Sequence, residues 1–264
     1  MDTRFWGPSG WKLLHLITFD YEPKNEHTYA LFFETLPYIL PCKFCRASLT
    51  DYYREHPFQE NGHILPNLDV KKWMYQIHNC VNQKLRKQGL NPSPDPSFTK
   101  VKQFYESWKQ CSWNQQLSTF WDFLFAIAYN HPKETTAHSK PMPDCPPDIH
   151  QCKDKCEKNK WNVLDVKDRT YWFVRFWSLL PAVLPVNIQQ KWKEVEIRNP
   201  PKLSCRRSIL AWLWRMRCEL DSDFKDPYTS VCKRIASYSS DCGKTKRAIT
   251  CRKRRLHKTV KNKK

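Results

Sequence analysis

The sequence predicts an all-α protein: a four-helix bundle with a short fifth helix, followed by a second helical domain. Three observations carry this. Apolar residues recur at helical spacing through the first hundred or so positions, and strand alternation bounded by hairpin signals is absent. Landmarks of the first half also return in the same order in the second, as expected of a duplicated unit.

Each element has its own signal. Ser9 is placed to cap a helix carrying Trp11, Leu14, His15 and Thr18 on one face. Thr28 to Leu36 reads as a second helix closed by Pro37. Cys42 to His56 reads as a third, with Pro41 just ahead of it and Pro57 ending it. Leu68 to Gly89 is a fourth, with Asn67 or Asp69 near its cap and Gly89 at its end. Phe98 to Lys109 is the short fifth. Four helices joined by short links make a small bundle.

The chain has 264 residues, enough for one large domain or two small ones. Its apolar content of 40% can build a core. The longest apolar stretch, Tyr171 to Val186, is broken by Arg175, Pro181 and Pro185, so no membrane span is expected. The opening MDTRFWGPSG lacks the basic and apolar regions of a secretory signal. Only 5 Gly are present, without a phosphate-loop or Rossmann fingerprint, which argues against dinucleotide binding through a glycine loop.

The net charge of +19 raises nucleic acid as a partner. Eleven of those charges lie in residues 244–264, which contain no acid, leaving +8 for residues 1–243. The tail reads as a disordered basic arm. It would meet nucleic acid, acidic protein or an anionic surface, or serve solubility alone. A basic nucleic-acid-binding or structural protein with an inactive helical core is therefore the alternative function.

Among 12 Cys, two close pairs stand out: Cys42-Lys-Phe-Cys45 and Cys152-Lys-Asp-Lys-Cys156. Together they could supply four thiolates to zinc, but the gap between them is long for a zinc module. A redox pair is the sharper reading of Cys42 and Cys45. At i, i+3 on a helix start, two sulfurs lie close enough to bond, and the helix N-terminus lowers a thiol pKa.

A polar and aromatic stripe accompanies that pair. Trp11 and His15 are i, i+4, and Trp73, Ile77, His78, Val81, Asn82 and Leu85 share a face of the fourth helix, with Asn79 beside it. Lys84 and Lys87 near its end are placed to meet phosphates. One reading is a core with satisfied polar groups. The other is a planar aromatic cofactor that stacks on the Trp and His rings.

These motifs resemble a known family. Gly7-Pro-Ser-Gly-Trp11-Lys-Leu-Leu-His15, Tyr21, Pro41-Cys-Lys-Phe-Cys45, Trp73-x4-His78-Asn79-x-Val81-Asn82-x2-Leu85 and Trp108-Lys109 match, in order and spacing, the Erv/ALR family of FAD-linked sulfhydryl oxidases over roughly residues 4–110. The form most resembled is that of giant DNA viruses of the mimivirus type. The resemblance implies FAD inside the bundle, contacted by Gly7, Trp11, His15, Tyr21, His78, Asn79, Val81, Asn82, Lys84, Leu85, Lys87 and Trp108. It implies Cys45 as the flavin-proximal sulfur and Cys42 as the sulfur attacked by substrate thiolate. Electrons from protein dithiol substrates would pass to O2, giving H2O2, with no metal. Where cellular members often carry W-x-Cys, this chain has Tyr75, and a Cys80–Cys111 disulfide would compensate. Cys152 and Cys156 would be an electron shuttle or a structural disulfide. A virion or cytoplasmic assembly site is the location implied.

The second half carries a faint copy of the first. Phe33 to Pro41 reads like Phe176 to Pro185, Trp73 to Ile77 like Trp212 to Met216, Asp95-Pro96 like Asp226-Pro227, and Trp11 to His15 like Trp121 to Phe125. The chemistry is gone from the copy. Phe125 stands for His15, Val186 to Gln189 for C-x2-C, and Arg217-Cys218 for His78-Asn79. The expected organisation is an FAD-binding domain over residues 1–112 and a second helical domain over 113–243. A Pro-rich loop insertion covers about 132–160, and the basic tail follows at 244–264. The copy would replace the second subunit of a homodimer as an intramolecular pseudo-dimer, or support a partner.

Overall fold

The computed structural model describes residues 1–90, 93–132 and 140–239. Its first helix starts at Asp2, whose carboxylate accepts from the Arg4 amide and guanidinium. α1 (Thr3–Phe19) therefore begins well ahead of Ser9, the expected cap. Burial of Phe5 and Trp6 draws the extra turn into the core despite Pro8 inside it.

α2 (Glu26–Ile39) follows a 3-10 turn at Pro23–Asn25. It runs through Pro37, where closure was expected. The missing proline N–H leaves the Phe33 carbonyl open, and the Tyr53 hydroxyl donates to that oxygen at 3.2 Å. The helix ends at Leu40 and Pro41. α3 (Lys43–Glu55) then starts with Cys42 as its extended N-cap.

A small hairpin corrects the expectation that no strand signal exists. β1 (Gln59–Glu60) pairs antiparallel with β2 (His63–Ile64) around Asn61 and Gly62, at φ 51° and 81°. Asn-Gly is the residue pair such a turn demands. α4 (Val70–Lys87) is capped by Asp69, which accepts from the Lys71 and Lys72 amides. α5 (Phe98–Lys109) is capped by Ser97.

The second half holds α6 (Trp113–Ser118), α7 (Trp121–Asn130), α8 (Lys155–Lys160), α9 (Val166–Val183), α10 (Val186–Arg198), α11 (Arg206–Leu220) and α12 (Tyr228–Ser237). Ser9 ties α1 to this half: its hydroxyl donates to the Thr119 carbonyl at 2.7 Å and accepts the Phe123 amide at 3.1 Å. Gly10 lets the helices meet, since a Cβ there would lie 2.9 Å from the Phe123 ring. α2 lies along α9 in the largest helix contact, with Phe32 and Phe176 rings 5.4 Å apart. One apolar cluster runs from Met1 to Ile235.

Local geometry repeats between the halves. α2 and α9 each contain a proline, and each ends on an extended leucine, Leu40 (ψ 137°) and Leu184 (ψ 153°). α3 and α10 each have 13 residues and end on similar caps: His56 at φ −131°, ψ 72° and Asn199 at φ −125°, ψ 73°. The Trp73 indole donates to the His56 carbonyl at 3.0 Å, and the Trp212 indole to the Asn199 carbonyl at 2.8 Å.

Residues 140–154 of the expected insertion are turns and irregular chain, and α8 docks on α3 through Lys160–Asp51 at 2.9 Å and Arg54–Glu157. The tail at 244–264 lies outside the described residues. Among the described residues no helix is long and apolar enough to cross a membrane.

Candidate functional site

α1, α3 and α4 converge on a cavity of about 560 Å³. That lies within the roughly 300–1,000 Å³ usual for small-molecule and cofactor sites. Of the residues singled out in the sequence, Gly7, Trp11, Cys42, Cys45, His78, Val81, Asn82, Lys84 and Leu85 line it. A Cβ on Gly7 would meet nothing within 4 Å, so that wall stands open.

Helical spacing explains the lining. Val81, Lys84 and Leu85 follow His78 at i+3, i+6 and i+7 on α4, and Trp11 faces them from α1. Trp11 and His78 stack with ring centroids 3.9 Å apart and planes 11° from parallel. His15 sits one layer behind. Its Nε2 shares a 3.0 Å hydrogen bond with His78 Nδ1, its ring stacks 4.8 Å from Tyr105, and its Nδ1 is buried without a partner.

The other expected positions lie off the cavity wall. Tyr21 packs edge-on against Tyr29 at 5.1 Å. Trp108 on α5 carries the Lys12 ammonium over its ring at 4.9 Å. Asn79 is half-buried on α4, and Lys87 is exposed. Sequence reading missed Tyr105, Ser48 and Phe123, which also line the cavity. Tyr105 was legible three positions before Trp108, on the same helix face. Phe123 was not, because it reaches the site from the second half.

Lys84 reaches across to α3, where its ammonium donates to the Ser48 hydroxyl and to the Phe44 carbonyl at 3.3 Å. Asn82 donates to Asp95 at 2.8 Å, and Arg86 pairs with the same carboxylate at 2.6 Å. The Arg86 hydrogen bond, chiefly, holds Asp95 below the usual carboxylate range.

The dithiol occupies the first turn of α3. Cys42 is 1% exposed, and its side chain is hydrogen-bonded to that of Cys45. Burial alone raises the Cys42 thiol. The Cys45 hydrogen bond, the Met1 ammonium and Arg46 outweigh it and bring Cys42 down to about 6. Cys45 moves the other way, raised first by its bond to Cys42 and then by burial. One sulfur thus takes the negative charge and the other keeps the proton.

The ten described cysteines are all unbridged. Cys80 lies on α4 and Cys111 just past α5. Cys156 on α8 has its sulfur 2.8 Å from the Tyr38 hydroxyl, and Cys152 is half-buried in the turn before it. Among the described residues no cluster of three or more His, Cys, Asp or Glu side chains is arranged to hold a metal.

The model of the Erv1 / Alr family matches residues 8–109, the segment that builds this cavity. A probable FAD-linked sulfhydryl oxidase of Acanthamoeba polyphaga mimivirus is 32% identical over 94 residues, 34% of this chain and 65% of that protein. An FAD-linked sulfhydryl oxidase of African swine fever virus is 31% identical over 105 residues, 38% of this chain and 80% of that protein. The mitochondrial FAD-linked sulfhydryl oxidase ERV1 of Saccharomyces cerevisiae is 30% identical over 108 residues, 39% of this chain and 52% of that protein. No solved structure matches the chain at the same stringency. The fold and the dithiol at its cavity are those of a helical redox protein, and the chain belongs to the Erv1 / Alr family.

Burial lowers His15 to about 3 and His78 to about 4, so both rings are neutral in the folded chain at ordinary pH. In the unfolded chain they protonate near 6.5. Between these limits the unfolded state binds more protons, so stability falls as pH drops below about 6.5. Melting followed by circular dichroism from pH 7 to pH 5 should show a loss on the order of 4 kcal/mol, about 2 from each imidazole. A flat melting temperature across that window would mean the imidazoles are solvated.

Proposed function

We propose that this chain is an FAD-linked thiol oxidase that forms disulfides in protein dithiol substrates and delivers the electrons to O2, producing H2O2. The observation that carries this reading is the Cys42–Cys45 pair opening onto a cofactor-sized cavity walled by a Trp11–His78 stack. The chain's residues suit FAD. The rings of Trp11 and His78 offer flat faces, the orphaned His15 Nδ1 marks buried polarity next to the cavity, and the Lys84 ammonium suits a phosphate. When bound, FAD supplies the two-electron acceptor that links the dithiol to O2.

The chain's own part is thiol–disulfide exchange. A substrate thiolate attacks the Cys42 sulfur of the Cys42–Cys45 disulfide, a new S–S bond forms, and Cys45 leaves as a thiolate. A second substrate thiolate then attacks the substrate sulfur of the mixed disulfide. The substrate disulfide leaves, and Cys42 departs with the remaining electron pair. A low Cys42 pKa makes it a good leaving group in this second step. His15 and His78, both neutral, add no charge of their own beside the stack that walls the cavity. The viral relatives support a viral protein. Its place of action is proposed as the virion or a cytoplasmic assembly site, where no oxidising compartment forms disulfides.

Purified protein loaded with FAD should be yellow and consume oxygen with a dithiol. Cys42→Ser or Cys45→Ser should each cut turnover by roughly a thousandfold while leaving the colour. Colourless protein, or serine variants that turn over like the parent, would rule the oxidase out.

Cys152 and Cys156 are proposed as the relay to protein substrates, and Cys80–Cys111 as a bridge from α4 to the segment just past α5. Cys152→Ser/Cys156→Ser should slow oxidation of a protein dithiol severalfold and spare dithiothreitol. Equal loss of both, or of neither, removes the relay. Peptide mapping of the non-reduced protein reads the Cys80–Cys111 bridge directly.

The repeated caps and indole bonds support reading the second half as a degenerate copy standing in for a partner subunit. In that copy Arg217 lies over the Trp121 ring at 5.6 Å and the Phe224 ring at 3.9 Å, and Trp121 stacks on Trp192 at 6.1 Å. Sedimentation equilibrium should then give the mass of one chain, and a stable dimer at micromolar concentration would overturn the substitution.

A further inference from the structure

α3 buries a guanidinium beside the dithiol. Arg46 is 8% exposed and one helical turn from Cys42, its amide donating to the Cys42 carbonyl at 3.0 Å. Its Nη1 donates to the Leu40 carbonyl at 2.8 Å and its Nη2 to Asn162 Oδ1 at 2.5 Å. Both acceptors are neutral. Among the described residues no carboxylate forms an ion pair with it. Arg169 on α9 repels it.

A guanidinium stays ionised when buried, and a buried ion without a counter-charge is strongly disfavoured. Burial opposes its charge, and the groups that favour it are the sulfurs of Cys42 and Cys45, which carry negative charge only as thiolates. We infer that Arg46 is the built-in counter-ion of the thiolate carried by the reduced Cys42–Cys45 pair, and that Asn162, from the second half, positions it. This rests on the thiol-oxidase reading of the pair.

The consequence is a bias in redox equilibrium. The disulfide is neutral and leaves Arg46 uncompensated. Reduction takes up two electrons and one proton, leaving one thiol and one thiolate, and that thiolate gives Arg46 its partner. The arginine therefore stabilises the reduced pair and makes the disulfide a stronger oxidant of substrate thiols. Asn162 is suited to the task. It sits in the left-handed region at φ 62°, and its own amide donates to the Lys140 carbonyl at 2.7 Å, which fixes its oxygen toward Arg46. The Met1 ammonium, Lys43 and Lys84 also face the pair, so removal of Arg46 weakens the field without abolishing it.

The test uses the full FAD-loaded chain under nitrogen, with Arg46→Met, Arg46→Lys and Asn162→Ala beside the parent. The pH profile of Cys42 alkylation is read by peptide mass spectrometry, and the Cys42–Cys45 equilibrium by titration against glutathione. Arg46→Met should move the alkylation midpoint up by about one unit. It should also lower the equilibrium toward the reduced pair about tenfold, ~30 mV for a two-electron couple. Arg46→Lys should recover most of both, and Asn162→Ala should fall between. A wild-type profile and equilibrium in Arg46→Met overturns the inference, as does a shift that Arg46→Lys fails to recover, since packing would then be the cause. If Arg46→Met does not fold, an unmoved midpoint in Asn162→Ala overturns it. Neither readout needs oxygen, so a parent that consumes none sinks the oxidase reading and leaves this outcome to its own result.

Discussion

The structure depends on burying α2 from both sides. Nearly every residue from Tyr29 to Ile39 is in the core, with α3 and the hairpin covering one side and α9 the other. A helix with apolar residues all round cannot face water, so it must be enclosed. That enclosure fixes where the helix ends, and its end fixes the dithiol. Leu40 and Pro41 break the chain, and Cys42 starts α3 at the cavity. Tyr38 at the same end stacks on Trp172 at 3.9 Å and meets Cys156. The Cys42–Cys45 pair is thus set between two halves that share one core.

The electrostatics of the site follow from its burial. The imidazoles are kept neutral, and the charges admitted near the sulfurs are positive: the Met1 ammonium, Arg46 and Lys84. An apolar pocket would raise a thiol pKa, and this arrangement reverses the sign for one sulfur of the pair. The protein supplies that asymmetry through placement of cations. It does so without a histidine base beside the dithiol, since His15 and His78 are engaged with each other and with aromatic rings.

Much of the first half was legible in the sequence. α3, α4 and α5 fall within two residues of expectation, because proline, aspartate and serine mark their ends with local chemistry. The errors share a cause. Ser9 and Pro37 look like helix boundaries to a local rule, yet tertiary contacts override both: Ser9 bonds to the α6–α7 turn, and Tyr53 satisfies the carbonyl that Pro37 leaves open. The Asn61-Gly62 hairpin was written in the sequence and went unread because its strands are two residues long. Within the site, spacing on α4 located His78, Val81, Lys84 and Leu85 together. It could not locate Phe123 or Asn162, which arrive from far along the chain.

The contact between α2 and α9 joins residues about 140 positions apart, such as Phe32 and Phe176. Contacts of that separation form late, because the intervening loop must close first. During synthesis α2 has no cover on one face until the ribosome has passed Val183. The N-terminal half, although made first, has its core completed only when the C-terminal half arrives. A nascent chain in this state carries two exposed, reactive thiols and an uncovered apolar helix. Its exposure to premature oxidation and aggregation is therefore set by the time needed to translate the second half.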